Sequence, residues 1–227
     1  MADAAARGLF VTFEGGDGTG KTTQLRALAD RLRARGREVV VTREPGGAPG
    51  AEEIRRLVLE GEPGRWSPVT ELLLFNASRR DHVERVVTPA LAGGAVVLCD
   101  RFADSTRVYQ GAARDAQADP GDASLPPPSR AMTDALHALV IGLEPDATLI
   151  FDLDPRVALA RGLDRGGAEL RFERLGLPFH EAVRARFQAL AQAHPARCRL
   201  VDAAGGPQDV APRVDAALAP WLGAGAA

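Results

Sequence analysis

Glu14-Gly15-Gly16-Asp17-Gly18-Thr19-Gly20-Lys21-Thr22-Thr23 follows the apolar β-type run Leu9-Phe10-Val11-Thr12-Phe13 and precedes a stretch with helical periodicity, Gln24 to Arg35. Strand, glycine-rich turn and helix in that order make a GxxxxGK[ST] phosphate-binding loop. Glycines at 15, 16, 18 and 20 allow backbone conformations closed to residues with a Cβ, so successive N–H groups can converge on phosphate oxygens. The helix that follows adds its positive N-terminal end. Gly15 to Thr23 is therefore the expected nucleotide cradle, with Lys21 bridging the outer phosphates and the Thr22 hydroxyl ligating Mg²⁺. A nucleoside triphosphate is the first ligand to consider.

Outward from the loop, the same alternation continues. Short β-type runs at Leu9 to Phe13, Val39 to Thr42, Ala95 to Cys99, Thr148 to Phe151 and Arg199 to Val201 are separated by longer stretches of helical periodicity. Helices are expected near 21–35, 51–59, 67–92, 130–142, 154–163, 179–193 and 207–221. This is the pattern of an α/β fold, a doubly wound parallel sheet of five strands with helices on both faces. The chain of 227 residues fits a single domain with a core on each face of the sheet. Residues 115–129, with Asp119-Pro120-Gly121-Asp122 and Pro126-Pro127-Pro128, read as an exposed loop.

Composition narrows the partners. Lys plus Arg total 28 against 30 Asp plus Glu, so the net charge of −2 points to neither duplex nucleic acid nor an anionic membrane. The leading Met1 to Arg7 lacks the basic start and apolar centre of a secretory signal, and no run approaches membrane-spanning length, which makes the cytoplasm the expected compartment. Cys99 and Cys198 each end a strand-like run without a CxxC or His-spaced partner, so buried free thiols are expected.

In open α/β sheets ligands sit beyond the carboxyl ends of the strands, which places polar residues after strand runs on one common edge. The phosphate loop with Asp17 follows the first strand, Thr42-Arg43-Glu44-Pro45-Gly46-Gly47 the second, and Asp100-Arg101-Phe102 the third. Two arginines facing a triphosphate loop imply a second anion, and a phosphorylated acceptor fits. The competing reading pairs Arg43 with Glu44 and Arg101 with Asp100 as structural ion pairs. Phe75 and Arg79 lie four apart in a helical stretch and share a face, where a ring and a forked donor could stack on and hydrogen-bond a base. Phe75 reads equally as a core residue. Tyr109, the single tyrosine, lies in Thr106-Arg107-Val108-Tyr109-Gln110-Gly111.

Taken together, FEGGDGTGKTT, TREPGG, LLLFNASRRDHV, DRFADST and YQG resemble, in order and approximate spacing, the motifs of thymidylate kinases, and the resemblance runs from Gly8 to Trp221. It is nearest the bacterial type, with Gly18 in the loop and basic residues in a mobile lid, here 161–174. The resemblance implies a dTMP kinase that uses ATP and Mg²⁺ and acts as a homodimer. It implies that Asp17 holds the 3′-hydroxyl of the acceptor sugar, that Arg43 and Arg101 grip its phosphate, and that Phe75 and Arg79 read the thymine. It also implies that Thr106 and Gln110 approach the base, that Tyr109 lies beneath C2′ and favours deoxy sugars, and that Asp100 contacts Mg²⁺ through water. Arg161 and Arg165 are the implied lid arginines. The lid's usual Asp-Arg-x-Glu run reads Leu170-Arg171-Phe172-Glu173 here. A kinase for another nucleotide or small metabolite, and a nucleotide-dependent switch, are the rival readings of the same loop.

Overall fold

All five expected runs become strands: β1 (Phe10–Gly15), β2 (Val39–Arg43), β3 (Val96–Asp100), β4 (Ala147–Asp152) and β5 (Cys198–Asp202). The computed structural model describes residues 7–61, 64–116, 128–163 and 176–222. The strands pair in parallel throughout, in the order β2-β3-β1-β4-β5. Every residue of β1 is buried, which is why that run reads as nearly continuous apolar sequence rather than as an alternation.

Around the sheet lie α1 (Lys21–Ala34), α2 (Pro49–Leu59), α3 (Pro68–His82), α4 (Thr88–Ala92), α5 (Ala103–Ala116), α6 (Arg130–Val140), α7 (Pro155–Leu163), α8 (Gly176–Ala193) and α9 (Pro207–Leu222). The pleat of β1 sorts its side chains between two layers. Val11 and Phe13 pack with Leu25 and Leu28 of α1 and Val214 and Leu218 of α9. Phe10 faces the other way, among Val83, Val87, Leu91 and Phe102. A third cluster joins Ile150 of β4 to Tyr109 of α5 and to Phe179, Val183 and Phe187 of α8. Full burial of a Leu or Phe side chain contributes about 1.5–3 kcal/mol, so these clusters hold the helices on the sheet. Cys99 and Cys198 are buried free thiols, as expected.

Two features differ from the sequence reading. The single helix expected over 67–92 is divided: α3 ends at His82, a π-helical turn spans Val83–Val87, and α4 begins at Thr88. Pro89 has no N–H to donate to the preceding turn, and the widened turn just before it accommodates that loss. The second difference is α5, for which no helix was expected. Its buried face carries Asp104, Thr106 and Gln110 beside Val108 and Tyr109, so apolar periodicity is weak although the helix is packed.

β1 is the central strand, and the chain departs to one side through β2 and β3 and to the other through β4 and β5. Loops leaving the strand ends therefore open a crevice above β1.

Candidate active site

The phosphate loop leaves β1 with Gly15, Gly18 and Gly20 at φ 127°, 77° and 88°. A Cβ on Gly18 would lie 2.0 Å from the carbonyl oxygen of Ala158, so glycine there lets the loop seat on α7. The Thr19 hydroxyl donates to the Gly16 carbonyl at 2.9 Å, and Lys21 Nζ donates to the same oxygen at 2.7 Å. Lys21 is the only lysine in the chain. Burial, then the positive charge of Arg101, pushes its pKa down to about 8. The Thr22 hydroxyl donates to Asp100 Oδ2. Among the described residues no group of three or more His, Cys, Asp or Glu side chains could hold a metal. Thr22 and Asp100 are nevertheless paired oxygen donors of the kind Mg²⁺ accepts when substrate phosphates supply other ligands.

Arg101 stands where β3 ends, in the left-handed region at φ 69°, the one such non-glycine residue among those described. Its backbone N–H donates to the Phe13 carbonyl at 3.0 Å, and the unusual φ turns the side chain back toward the loop. There Nη1 donates to the Gly15 carbonyl and the Ser105 hydroxyl, both at 3.0 Å. Nη2 donates to Asp17 Oδ1, and at 3.3 Å to the Tyr109 hydroxyl. Burial raises the Asp17 carboxyl, but Arg101 and Lys21 outweigh it and hold the pKa below its usual value. The guanidinium lies 5.1 Å from the Tyr109 ring centre.

Glu14 anchors this arrangement from beneath. Its buried carboxylate accepts from the Phe102 N–H at 2.7 Å, the Ser105 N–H at 3.2 Å and the Ser105 hydroxyl at 2.6 Å. Burial, then the Asp104 carboxylate, lifts its pKa to about 7. The start of α5 is thereby tied to the end of β1, which sets Arg101 against the phosphate loop.

A second polar group lies between α3 and α5. Arg79 donates through Nε to Glu44 Oε2 at 2.7 Å and through Nη2 to the Thr106 hydroxyl at 2.9 Å. Its guanidinium sits 5.1 Å from the Phe102 ring centre. Glu44 Oε1 is also 2.9 Å from His82 Nδ1, and His82 Nε2 is 2.7 Å from the Thr42 hydroxyl. Gln110 donates to Glu71 at 3.1 Å. Phe75 is half-buried on the same helix as Arg79. The Arg79–Thr106 and Glu71–Gln110 bonds thus both bridge α3 and α5.

Neither competing ion pair forms as expected. Arg43, with an exposed side chain, pairs instead with Glu52 at 3.0 Å, and Arg101 pairs with Asp17 rather than Asp100. The sequence reading gave no role to Glu14, Glu71 or His82. Their signals were present: Glu14 opens the loop motif, and Glu71 and His82 lie on the helix of Phe75 and Arg79, His82 three residues beyond Arg79.

On the far side of the loop, a cleft of about 460 Å³ is bordered by Gly18, Thr23, Gln24, Arg161, Gly205 and Pro207. Arg161 donates to the Gly205 carbonyl at 3.0 Å and weakly to that of Ala203 at 3.4 Å. Gln24 donates to the Pro207 carbonyl at 2.7 Å. The cleft adjoins the glycine loop at Gly18, Thr19 and Gly20 without touching Arg101, and no sequence signal marked the turn after β5 as part of it. Arg165, and with it most of the lid expected at 161–174, lies outside the described residues, as does most of the loop expected at 115–129.

The profile of the thymidylate kinase family matches residues 13–214. The thymidylate kinase of Dinoroseobacter shibae is 57% identical over 195 residues, covering 86% of this chain and 88% of that one. That of Caulobacter vibrioides is 55% identical over 198 residues, covering 87% and 89%. The crystal structure of thymidylate kinase from Ehrlichia chaffeensis aligns with a TM-score of 0.71 at 32% identity, covering 93% of this chain and 98% of that one.

Proposed function

This chain belongs to the thymidylate kinase family and is a phosphotransferase that converts dTMP to dTDP, and we propose that Mg-bound ATP is its phosphoryl donor and that Arg101 seats the acceptor phosphate. The observation that carries the proposal is the position of Arg101. Its guanidinium spans the Gly15 carbonyl, Asp17 and Tyr109 at the mouth of the phosphate loop, where an acceptor phosphate would face the donor's outer phosphate.

The acceptor needs little activation. A phosphate monoester has a second pKa of about 6, so at neutral pH it is largely dianionic and already nucleophilic. The obstacle is bringing two anions into line, and the residues present answer it with positive charge and fixed geometry. The loop amides and Lys21 would hold the donor phosphates, with Gly15, Gly16, Gly18, Thr19, Gly20 and Thr23 lining the approach. Mg²⁺, held at Thr22 with Asp100 behind it, would neutralise charge on the donor phosphates.

On the acceptor side, Arg43 and Arg101 would bind the phosphate, Asp17 the 3′-hydroxyl, and Phe75 and Arg79 the thymine, with Thr106 and Gln110 at its edge. Support comes from the anchoring of Arg79 by Glu44, which orients its fork before any ligand arrives. Tyr109 would lie beneath C2′ and disfavour a ribose hydroxyl. The cleft beside Arg161 suits the donor nucleoside. Arg161 and Arg165 are proposed to act near the donor as part of the lid of a single kinase domain.

The reading extends to a cytoplasmic homodimer. Sedimentation would measure the mass that this part of the reading predicts. Among the described residues no helix is long and apolar enough to cross a membrane. Chromatographic detection of dTDP after incubation with Mg·ATP and dTMP tests the reaction; ADP formed without dTDP would overturn it.

A further inference from the structure

Between the phosphate loop, the end of β4 and α8 lies a narrow cavity of about 20 Å³. Asp17 borders it from the loop, Asp152 from β4, and His180 and Arg184 from α8. His180 is only 6% exposed, yet its Nε2 has no hydrogen-bond partner among the described residues. A buried imidazole nitrogen left without a partner is unfavourable, and such groups in native structures are commonly satisfied by ordered water. Room for one water requires roughly 10–15 Å³, and the cavity provides it. Polar groups around it come from three separate elements, so one water can bridge rather than merely fill.

The Asp17 carboxylate has capacity for such a bridge. Oδ1 is taken by Arg101, whereas Oδ2 receives only a long 3.4 Å bond from the Tyr109 hydroxyl. Arg184 commits Nε and Nη2 to a two-point pair with Asp152, at 2.7 and 2.9 Å, whereas His180 Nε2 is the buried nitrogen of α8 beside the cavity that has no partner among the described residues.

We propose that this cavity holds one ordered water anchored by His180 Nε2, and that His180 is thereby a positioning residue for the Asp17 carboxylate. Through Asp17 the same water steadies Arg101, since the two side chains are paired. The inference deepens the proposed function, because its kinetic consequence rests on Asp17 and Arg101 facing the acceptor.

The test compares His180→Leu with His180→Gln, whose side-chain N–H can replace Nε2. Leu should raise the KM for dTMP about tenfold, the effect of one lost bridging hydrogen bond, with the KM for ATP nearly unchanged. Gln should stay within about twofold of the parent protein on the same scale. Equal effects of Leu and Gln, or an equal rise in both KM values, would mean that His180 acts by packing alone and would overturn the proposal. Should the Leu variant not fold, the parent and Gln proteins still test the water. A high-resolution crystal structure of the unliganded protein reads the water without turnover. Density within hydrogen-bond distance of Nε2 supports the site, and an empty cavity overturns it. If the parent protein does not phosphorylate dTMP, the proposed function fails while the density still decides the water.

Discussion

Arg101 donates to the Asp17 carboxylate across 84 positions of sequence, joining the end of β3 to the phosphate loop that follows β1. On the proposed reading the pair sets a cation on the acceptor side of the loop, and Lys21, which donates to the Gly16 carbonyl, would serve the donor. Charge on both sides of the transferring group is what phosphoryl transfer between two anions demands.

Replacing Arg101 by Ala should therefore reduce kcat by about 10²–10³-fold and weaken dTMP binding while leaving ATP binding intact. Steady-state kinetics and calorimetric titration with ATP measure the two separately. A variant that fails to fold, or one that loses ATP affinity equally, would make Arg101 a structural residue.

Lys21 makes a pH prediction. Its pKa near 8 in the folded protein lies below the ordinary 10.5, so between those values the unfolded chain binds more protons than the folded one. Stability contributed by this group therefore rises with pH across that window, by up to about 3 kcal/mol, the unfavourable burial of the ammonium being fully present below pH 8. Triphosphate binding needs the ammonium form, so ATP affinity should begin to fall above pH 8 rather than above pH 10. Because Lys21 is the only lysine, one isotope-labelled side-chain resonance reports its titration directly. A midpoint near 10.5 in the unliganded protein would contradict the prediction.

Glu44→Gln tests the buried network behind Arg79. Both side chains of the Arg79–Glu44 pair are only 3% exposed, and loss of one buried partner costs about 3–5 kcal/mol. Urea denaturation should show that loss, together with a higher KM for dTMP from a less constrained Arg79. A change below about 1 kcal/mol would place the pair in a wetter setting than its geometry indicates.

Tyr109 should govern sugar selectivity. Tyr109→Ala opens space beside Asp17, and the ratio of kcat/KM for the ribose form of TMP to that for dTMP should rise about tenfold. An unchanged ratio would remove Tyr109 from the sugar pocket.

Much of this arrangement was legible in the sequence because it depends on residue types at fixed spacing. The strand before Glu14, the glycines and Lys21 imposed the phosphate loop, and polar residues after β2 and β3 fell on the same sheet edge. What escaped was tertiary. α5 buries Asp104 against Arg197, with contacts at 2.6 and 2.9 Å, and Thr106 against Arg79, so its inward face is polar and its period is obscured. The competing reading paired Arg43 with its neighbour Glu44, but that carboxylate points inward to Arg79 and His82, while Glu52, one helical turn into α2, reaches Arg43. The cleft beside Arg161 depends on the turn after β5, which carries no phosphate-binding pattern of its own.

The most direct measurement is ADP release from Mg·ATP by the purified protein with dTMP, dUMP, the ribose form of TMP, dGMP, dCMP and AMP as alternative acceptors. The account predicts strong preference for dTMP and little release without acceptor. Preference for a different acceptor would contradict the assignment of Phe75, Arg79, Thr106 and Gln110 to thymine, and release independent of acceptor would mean transfer to water and contradict a nucleotide-phosphorylating site.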